Sequence, residues 1–282
     1  MRLPLLVALT MMAFAANSLL NRWAVDSGAI SSAGFAAIRV ASGAAMLGLL
    51  ALARGQSLPL THRRRWAGAL SLAAYMIGFS LAYRSLDAGV GALLLFGVVQ
   101  ITLFVAAGVI GAPLGVRQML GAGVAFGGLV WILWPSGGAE VSPAGAAAMV
   151  VAGLGWGIYT LAGRGEAQAL AASAANFLLA LPLCLLPLAL GLAGPRPELP
   201  GIVLAMISGA VTSGLGYALW YALVPRLAPA TAAMVQLSVP VIALAAGAAL
   251  LGEAPGLRLV LGAAVVLGGI ALGLPRQARP SR

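Results

Sequence analysis

Long apolar runs, each ended by a short polar or glycine- and proline-rich break, divide this chain along its whole length. A helix of about 20 apolar residues, at about 1.5 Å per residue, crosses the roughly 30 Å hydrocarbon core of a bilayer. The runs therefore predict ten transmembrane helices joined by short loops, with no room for a soluble domain. Their predicted bounds are 3–20, 33–53, 66–85, 88–110, 118–134, 144–162, 168–192, 201–221, 228–250 and 257–274.

Composition favours the bilayer as the main solvent of this chain. The sequence is 62% hydrophobic and 8% charged, whereas soluble domains carry about 25% charged residues. A net charge of +10 could indicate nucleic acid as a partner. The basic residues, all arginines, instead lie between the apolar runs and form no patch beyond Arg63-Arg64-Arg65. We therefore expect contact with lipid and none with nucleic acid.

The arginines also predict an orientation, because cytoplasmic loops of membrane proteins carry the excess of basic residues. With the N-terminus inside, eleven arginines fall on the inner side and four on the outer side. The sequence thus predicts a multi-pass protein of the inner membrane with both termini in the cytoplasm. In that topology the loop that contains His62 is cytoplasmic, and the loop that contains Gly138 is outside.

An internal repeat relates the two halves of the chain. Residues 107–128 match residues 248–269 at a constant offset of 141, with the same spacing of glycines. Arg117 aligns with Arg258 inside this match, which makes a chance similarity of two Ala/Gly/Leu-rich segments a weaker explanation. Each copy would hold five spans, and an odd number of spans threads the second copy with opposite polarity.

The repeat defines the predicted fold: an all-α integral membrane protein of ten transmembrane helices, built as two inverted five-helix repeats. Residues 1–135 form the first repeat and residues 136–282 the second, within a single membrane domain. The first run resembles a signal peptide with Ala13-Phe14-Ala15 as its cleavage site, but we expect it to be retained as the first helix of its repeat. Inverted repeats are a recurring architecture of transporters.

Four short motifs in this frame resemble the drug/metabolite transporter superfamily, in its EamA-like branch. They are Asn17-Ser18-Leu19-Leu20-Asn21-Arg22-Trp23-Ala24, Ala37-Ile38-Arg39, Tyr83-Arg84-Ser85-Leu86 and Leu251-Gly252-Glu253-Ala254. The first repeat departs from the Gly-Glu step of the family, with Ala112 in place of Glu. The resemblance implies transport of small metabolites such as amino acids through a central cavity shared by the repeats.

Together these patterns predict a transporter that moves small amphiphilic metabolites across the inner membrane by alternating access. Amino acids are the leading substrates, and export is the favoured direction. A channel-like protein or a membrane sensor without coupled transport is the alternative. An enzyme is disfavoured, because the sole histidine, His62, has no catalytic partner and no metal-ligand motif occurs. No metal or cofactor is predicted, and the sequence does not indicate an oligomeric state.

The predicted substrate contacts are polar or aromatic side chains inside the spans. Amides can hydrogen-bond a polar group of the substrate, and aromatic rings can cover its apolar part. The same residue types also serve simply to hold helices together or to anchor them at the membrane interface. The candidates are Asn17, Arg39, Tyr75, Gln100, Trp156, Tyr159, Tyr217 and Gln236.

Arg39 allows two interpretations. It lies within the second apolar run, where a charge costs about 2.5–3.5 kcal/mol at the bilayer centre. Its side chain could extend outward to the interface and bond helix-end carbonyls. Alternatively, it could draw an anionic group, such as a substrate carboxylate, into the cavity.

Helix breakers and small residues complete the predictions. Pro240 lies near the middle of the ninth span and should kink it, because proline removes one backbone hydrogen bond; Gly97 lies near the matching place in the fourth span. We predict gating at these two positions. In the tenth span we expect small residues, such as Gly268, to pack closely, so that a larger side chain there damages folding.

Overall fold

The computed structural model of the protein describes residues 3–109, 115–133, 142–191, 194–250 and 257–273. All regular secondary structure in these ranges is helical. The α-helices are α1 Leu3–Asp26, α2 Ser32–Ala53, α3 Arg63–Ala82, α4 Ala88–Val109, α5 Val116–Leu133, α6 Pro143–Gly163, α7 Ala169–Ala189, α8 Leu199–Ile207, α9 Gly216–Leu223, α10 Pro229–Gln236, α11 Ser238–Leu250 and α12 Leu257–Gly273. A π-helical segment, Ser208–Leu215, joins α8 to α9, and a 3₁₀ turn, Val224–Arg226, follows α9.

Each predicted span overlaps helical structure, with two differences of detail. The eighth runs without interruption through Leu199–Arg226, and the ninth is divided at Leu237 into α10 and α11. Among the described residues, six helices are long and apolar enough to cross a membrane. They are α1, α2, α4, α6, α7 and Leu199–Arg226. In the part of the chain that the structure describes, the protein is therefore an all-helical membrane protein.

Local sequence signals explain where several helices begin and end. Ser31 caps α2 by accepting a hydrogen bond at its Oγ from the N–H of Gly34, at 3.0 Å. Ser142 caps α6 in the same way, and Pro143 follows at the first helical position, where its missing N–H costs nothing. α2 ends before Gly55, whose φ of +66° is a left-handed conformation that glycine adopts without strain.

Small residues let several helices of the bundle pack closely against the backbone of a neighbouring helix. At the crossing of α3 and α6, a Cβ on Gly155 would lie 2.6 Å from the carbonyl oxygen of Ser71 and 2.8 Å from the nitrogen of Tyr75. A Cβ on Gly78 would lie 2.6 Å from the carbonyl oxygen of Ala148. Such contacts are typical of membrane helices, whose backbones approach through small residues.

Helices α5 and α12 form an antiparallel pair with reciprocal hydrogen bonds. Arg117 near the start of α5 donates from Nε to the carbonyl of Leu272 near the end of α12, at 2.7 Å. Arg258 near the start of α12 donates from Nε to the carbonyl of Trp131 near the end of α5, at 2.6 Å. Both donors and both acceptors are related by the same offset of 141 residues that the sequence shows.

The expectation for Gly268 was wrong. A Cβ on Gly268 would meet no atom within 4 Å, whereas one on its neighbour Gly269 would lie 2.5 Å from the nitrogen of Ala125 and 2.6 Å from the carbonyl oxygen of Gly121. Successive residues of an α-helix point about 100° apart. The face of α12 that packs on α5 therefore contains Gly269 and leaves Gly268 outside the contact.

The periphery of the bundle is apolar, and its interior contains the polar side chains. Leu49, Leu52 and Val105 are 68%, 65% and 62% exposed, as expected for residues that face lipid. Asn17, Arg39 and several hydroxyl groups are buried instead. An apolar periphery around a polar interior is typical of membrane proteins, where polar residues face the bundle interior.

Candidate functional site

Arg39 lies in the centre of the buried polar side chains. It is seven residues into α2, about 10 Å along the helix axis at about 1.5 Å per residue. The side chain is 0% exposed, so it does not extend outward to an interface. It points into the bundle, toward α3 and the π segment.

Three hydroxyl groups hold the guanidinium of Arg39. Nε donates to Oγ of Ser213 at 2.8 Å, and Nη2 donates to the hydroxyls of Tyr75 at 3.0 Å and Tyr217 at 2.7 Å. The two tyrosine hydroxyls are also hydrogen-bonded to each other, at 2.9 Å. The guanidinium carbon lies 4.9 Å from the ring centroid of Phe79 and 5.3 Å from that of Tyr75, a cation–π arrangement that stabilises the buried charge.

No carboxylate pairs with Arg39 among the described residues. The ion pairs found there are Arg22 with Asp26, Arg22 with Asp87, and Arg65 with Glu166. A buried charge without a counter-ion costs several kcal/mol of desolvation. The site is therefore electropositive, and an anionic group would find a partner in it.

The π segment builds the second part of the site around Asn17. Oδ1 of Asn17 accepts hydrogen bonds from the hydroxyls of Ser208 at 2.8 Å, Thr212 at 2.6 Å and Ser213 at 3.1 Å. Ser208 and Ser213 are five residues apart, the spacing of the π-helical hydrogen bond. In an α-helix these two residues would point in different directions, so the wider turn brings both onto Asn17.

A glycine allows the π segment to reach α2 at this level. A Cβ on Gly209 would collide with the carbonyl group of Arg39 and with Oγ of Ser42. Only a residue without a side chain fits there. The close approach places Ser213 within hydrogen-bonding distance of the Arg39 side chain, and Ser213 thereby links Arg39 to Asn17.

Two buried donor groups in this network have no partner in the described part of the chain. They are Nη1 of Arg39 and Nδ2 of Asn17. Buried donors are nearly always hydrogen-bonded, and leaving one without a partner costs about 1–3 kcal/mol. Both free atoms are donors, so the group that would satisfy them is rich in acceptors.

Aromatic rings form one wall beside the guanidinium. The ring centroid of Trp156 lies 4.5 Å from that of Tyr217, 5.1 Å from that of Tyr75 and 5.5 Å from that of Tyr159. Phe14 packs edge-on against Trp156 at 5.0 Å. The four predicted aromatic residues, which are Tyr75, Trp156, Tyr159 and Tyr217, therefore lie in a single cluster.

Gln236 joins this cluster, but Gln100 does not. Nε1 of Trp156 donates to Oε1 of Gln236 at 2.7 Å, and Nε2 of Gln236 donates to the carbonyl of Ala232 at 3.0 Å. Gln100 lines a separate cavity between α4 and α5. Seven of the eight predicted residues therefore lie around one buried centre, and Gln100 lies outside it.

The two predicted gating positions differ. The ninth span is interrupted at Leu237, three residues before Pro240. Pro240 has no N–H to donate to the carbonyl of Gln236, so this helical hydrogen bond is missing at the break. Helix α4 continues without interruption through Gly97. The Gly252-Glu253 step and Ala112 lie outside the described residues.

A cavity of 290 Å³ approaches the site from the N-terminal end of α2. It is lined by Ala33 and Ala36 of α2, Ile77 and Leu81 of α3, and Pro187 of α7, among others. Ala36 is three residues before Arg39, on the same face of the helix. The cavity therefore reaches a residue one helical turn from Arg39 along α2, but Arg39 is not among its lining residues.

Ion pairs and arginine caps tie the helices at both ends of the bundle. Arg22 at the end of α1 donates to the carbonyl of Tyr83 at 3.4 Å, and Arg164 at the end of α6 donates to that of Leu227 at 3.2 Å. Burial lowers the pKa of the Arg164 guanidinium, which still remains protonated at neutral pH. Arg65 pairs with Glu166 at the same end as Arg164.

Sequence analysis missed the hydroxyl residues of the π segment. Ser208, Thr212 and Ser213 are buried and contact Asn17, yet they do not stand out in an apolar run that also contains glycines. Their clustering within residues 208–213, Ser-Gly-Ala-Val-Thr-Ser, could have indicated a polar site in this span. Phe14 and Phe79 were missed because phenylalanine in a membrane helix is unremarkable by composition.

Comparison with known proteins places this helical bundle in a family. A model of the EamA-like transporter family matches residues 143–274. The Uncharacterized protein PA1977 of Pseudomonas aeruginosa is 49% identical over 284 residues, which covers 100% of this chain and 98% of that protein. The chain belongs to the EamA-like transporter family. The resemblance inferred from the short motifs of the sequence is thus confirmed.

The fold of this family member also resembles a solved structure. A crystal structure titled only "Crystal structure of protein" matches it with a TM-score of 0.77 and 21% sequence identity. The match covers 94% of this chain and 97% of the other. At this identity the likeness concerns the fold alone. Membership of the family indicates that the protein is a membrane transporter of the drug/metabolite type, which lies in lipid and has small-molecule substrates.

Proposed function

We propose that this transporter moves small amphiphilic metabolites that carry a carboxylate, with amino acids as the leading substrates and export as the favoured direction. One observation carries the proposal: within the described ranges Arg39 is buried without a carboxylate partner, and Arg39 and the buried Asn17 each present a donor atom without a hydrogen-bond partner. A carboxylate has two acceptor oxygens and no donor when ionised. It would neutralise the guanidinium and satisfy both donors.

The aromatic wall supports an amphiphilic substrate. Trp156 and Tyr159 pack against Tyr217, whose hydroxyl accepts a hydrogen bond from the Arg39 guanidinium, and these rings can cover an apolar side chain. Their ring faces can also attract an ammonium group by cation–π interaction. A zwitterion with its carboxylate on Arg39 and its apolar part on Trp156 would use both halves of the site, and Gln236 would orient the indole.

Alternating access between two inverted repeats is the proposed mechanism. The reciprocal bonds of Arg117 and Arg258, related by the offset of 141 residues, support repeats of opposite polarity over residues 1–135 and 136–282. The proposed substrate site draws residues from both halves, as expected for a site at a repeat interface. We propose ten spans in total, with Pro240 and Gly97 as hinge positions.

A channel or a sensor is the second candidate, and flux distinguishes it from a carrier. The purified protein in proteoliposomes should exchange internal labelled amino acids for external unlabelled ones, tested beside nucleosides and cationic drugs, with and without a pH gradient. Saturable exchange supports the transporter. Current far above carrier turnover would indicate a channel, and ligand binding without flux a sensor; either result would contradict the proposal.

The amide of Asn17 provides a test of the carboxylate site. In Asn17→Asp, both side-chain oxygens can accept from Ser208, Thr212 and Ser213, so the network should be retained. The free donor is replaced by a negative charge, which repels a substrate carboxylate. A hydrogen bond to a charged group contributes about 1.5–3 kcal/mol, so we expect amino-acid flux to fall by at least about tenfold.

The matched control is Asn21→Asp, one turn further along α1. Asn21 is also buried, and its Nδ2 donates to Oγ of Ser80 at 3.0 Å. It therefore tests the cost of a buried charge on the same helix outside the proposed site. If Asn17→Asp transports at the parental rate, or if both variants lose flux equally, Asn17 does not contact the substrate.

Topology is tested separately by labelling. Arginine bias predicts that Thr61 is cytoplasmic and that Gly138, which lies outside the described residues, faces outward. Cysteines introduced at these two positions should react differently with an impermeant thiol reagent on intact cells. Labelling at Gly138 alone is the expected result; labelling at Thr61 would reverse the proposed orientation.

A further inference from the structure

A second cavity lies on the flank of the bundle, between α4 and α5. It has a volume of 450 Å³ and is lined by Gln100 and Phe104 of α4 and by Met119, Gly123 and Phe126 of α5, among others. This volume is within the range of about 300–1,000 Å³ typical of small-molecule sites. The cavity is separate from the cluster around Arg39 and Trp156.

The polar feature of this cavity is the amide of Gln100. The residue is only 3% exposed, and neither Nε2 nor Oε1 has a hydrogen-bond partner in the described ranges. Buried side-chain amides nearly always have partners. An amide offers two donors and one acceptor oxygen, so the missing partner is a group that can both donate and accept.

The walls show from which side that partner would come. Ile101, Val105 and Met119 flank the cavity and are 53%, 62% and 58% exposed. Exposed apolar residues on a membrane helix face lipid, so the cavity opens toward the bilayer. The side chains that line it carry no charge, which favours a neutral ligand.

We propose that this cavity binds a neutral amphiphile from the bilayer. The ligand has a hydrocarbon part, which lies against Phe104 and Phe126, and a polar end that donates and accepts one hydrogen bond each. A long-chain primary amide or a protonated carboxylic acid has this chemistry and pairs with Gln100 through both atoms. The proposal does not rest on the proposed transport function.

Gly123 allows the cavity to be filled without disturbing the fold. A Cβ on Gly123 would meet no atom within 4 Å, so Gly123→Leu should place its side chain in the empty space. Gly127, one turn further along α5, also has open space at its Cβ and is not among the lining residues. Gly127→Leu is therefore the matched control, and Gln100→Leu removes the amide alone.

The test is photolabelling with octadecanamide that carries a diazirine on its chain. The transporter is reconstituted in phosphatidylcholine nanodiscs, and labelled peptides are mapped by mass spectrometry. We expect labelling concentrated in residues 100–126 of the parent. It should fall at least about fivefold in Gly123→Leu and Gln100→Leu, and stay within about twofold in Gly127→Leu, because only the first two lose volume or the paired hydrogen bonds.

Thermal unfolding separates loss of binding from loss of fold. Replacing an unpartnered buried amide by an apolar side chain is neutral or stabilising, so Gln100→Leu should melt at or above the parental temperature. Labelling spread evenly over the lipid-facing helices would overturn the proposal. So would equal labelling of Gly123→Leu and Gly127→Leu.

Competition identifies the source of the ligand. Diacylglycerol is a neutral membrane lipid whose free hydroxyl both donates and accepts, whereas phosphatidylcholine has no donor. If adding diacylglycerol to the nanodiscs reduces probe labelling, a membrane lipid occupies the cavity. If only added long-chain amides or acids compete, the occupant is a free amphiphile. Either result supports the same hydrogen-bonding chemistry, and competition by neither would contradict it.

Discussion

Replacing Arg39 by methionine is expected to reduce amino-acid flux in proteoliposomes by about 10- to 100-fold while leaving the folded yield intact. The charged hydrogen bonds to a carboxylate contribute about 1.5–3 kcal/mol each, and 1.4 kcal/mol corresponds to a factor of ten. Folding should tolerate the change, because replacing a buried charge by an apolar side chain of similar volume is often neutral or stabilising. The hydroxyls of Tyr75 and Tyr217 keep each other as partners.

Two further variants show whether the charge or its geometry matters. Arg39→Lys keeps the charge but loses the planar fork that binds a carboxylate through two donors, so its flux should lie between those of the parent and Arg39→Met. Arg54→Met removes an exposed arginine at the end of the same helix and should transport like the parent. Unchanged flux in Arg39→Met would show that the substrate does not bind at this guanidinium.

The largest effect on stability is expected at the contact between α5 and α12. Gly269→Val would place side-chain atoms against the backbone of Gly121 and Ala125, which cannot move without separating the helices. Overpacking of this kind costs about 1–3 kcal/mol or more. We therefore expect a lower melting temperature and a reduced yield of folded protein, measured by thermal unfolding in detergent and by size-exclusion chromatography.

The neighbouring glycine provides the control. Gly268→Val makes the same chemical change with the same change in helix propensity, but into open space. It should melt close to the parent. If the two variants are equally destabilised, overpacking against α5 is not the cause, and the close contact at Gly269 is not what stabilises this pair.

Much of the fold was predictable because apolar runs of bilayer length leave few alternatives to a helix. Arg39 could also be recognised from the sequence, because a charge inside an apolar run is rare and costly. Its direction was not predictable: the sequence could not distinguish a side chain that reaches the interface from one that is buried. That choice depends on Ser213, Tyr75 and Tyr217, which lie on other helices.

Side-chain direction explains the other differences between sequence and structure. Gly268 and Gly269 are equivalent by composition, and only the rotation of α12 against α5 decides which one packs. Gln100 was recognised as a polar residue in a span, but the helix that it faces is set by packing. The contacts of Ser208 and Ser213 with Asn17 depend on a π-helical turn, which the 3.6-residue period of an α-helix does not predict.

The central claim is that the buried guanidinium and amide recognise a carboxylate that the protein carries across the membrane. The most direct test compares counterflow of a labelled amino acid with that of its amide in the same proteoliposomes. In the amide an uncharged carboxamide replaces the carboxylate, which is the group that Arg39 and Asn17 would bind. The account predicts saturable counterflow of the amino acid at a rate at least about tenfold above that of the carboxamide. Equal rates for the two compounds, or no amino-acid counterflow above that of empty liposomes, would contradict it.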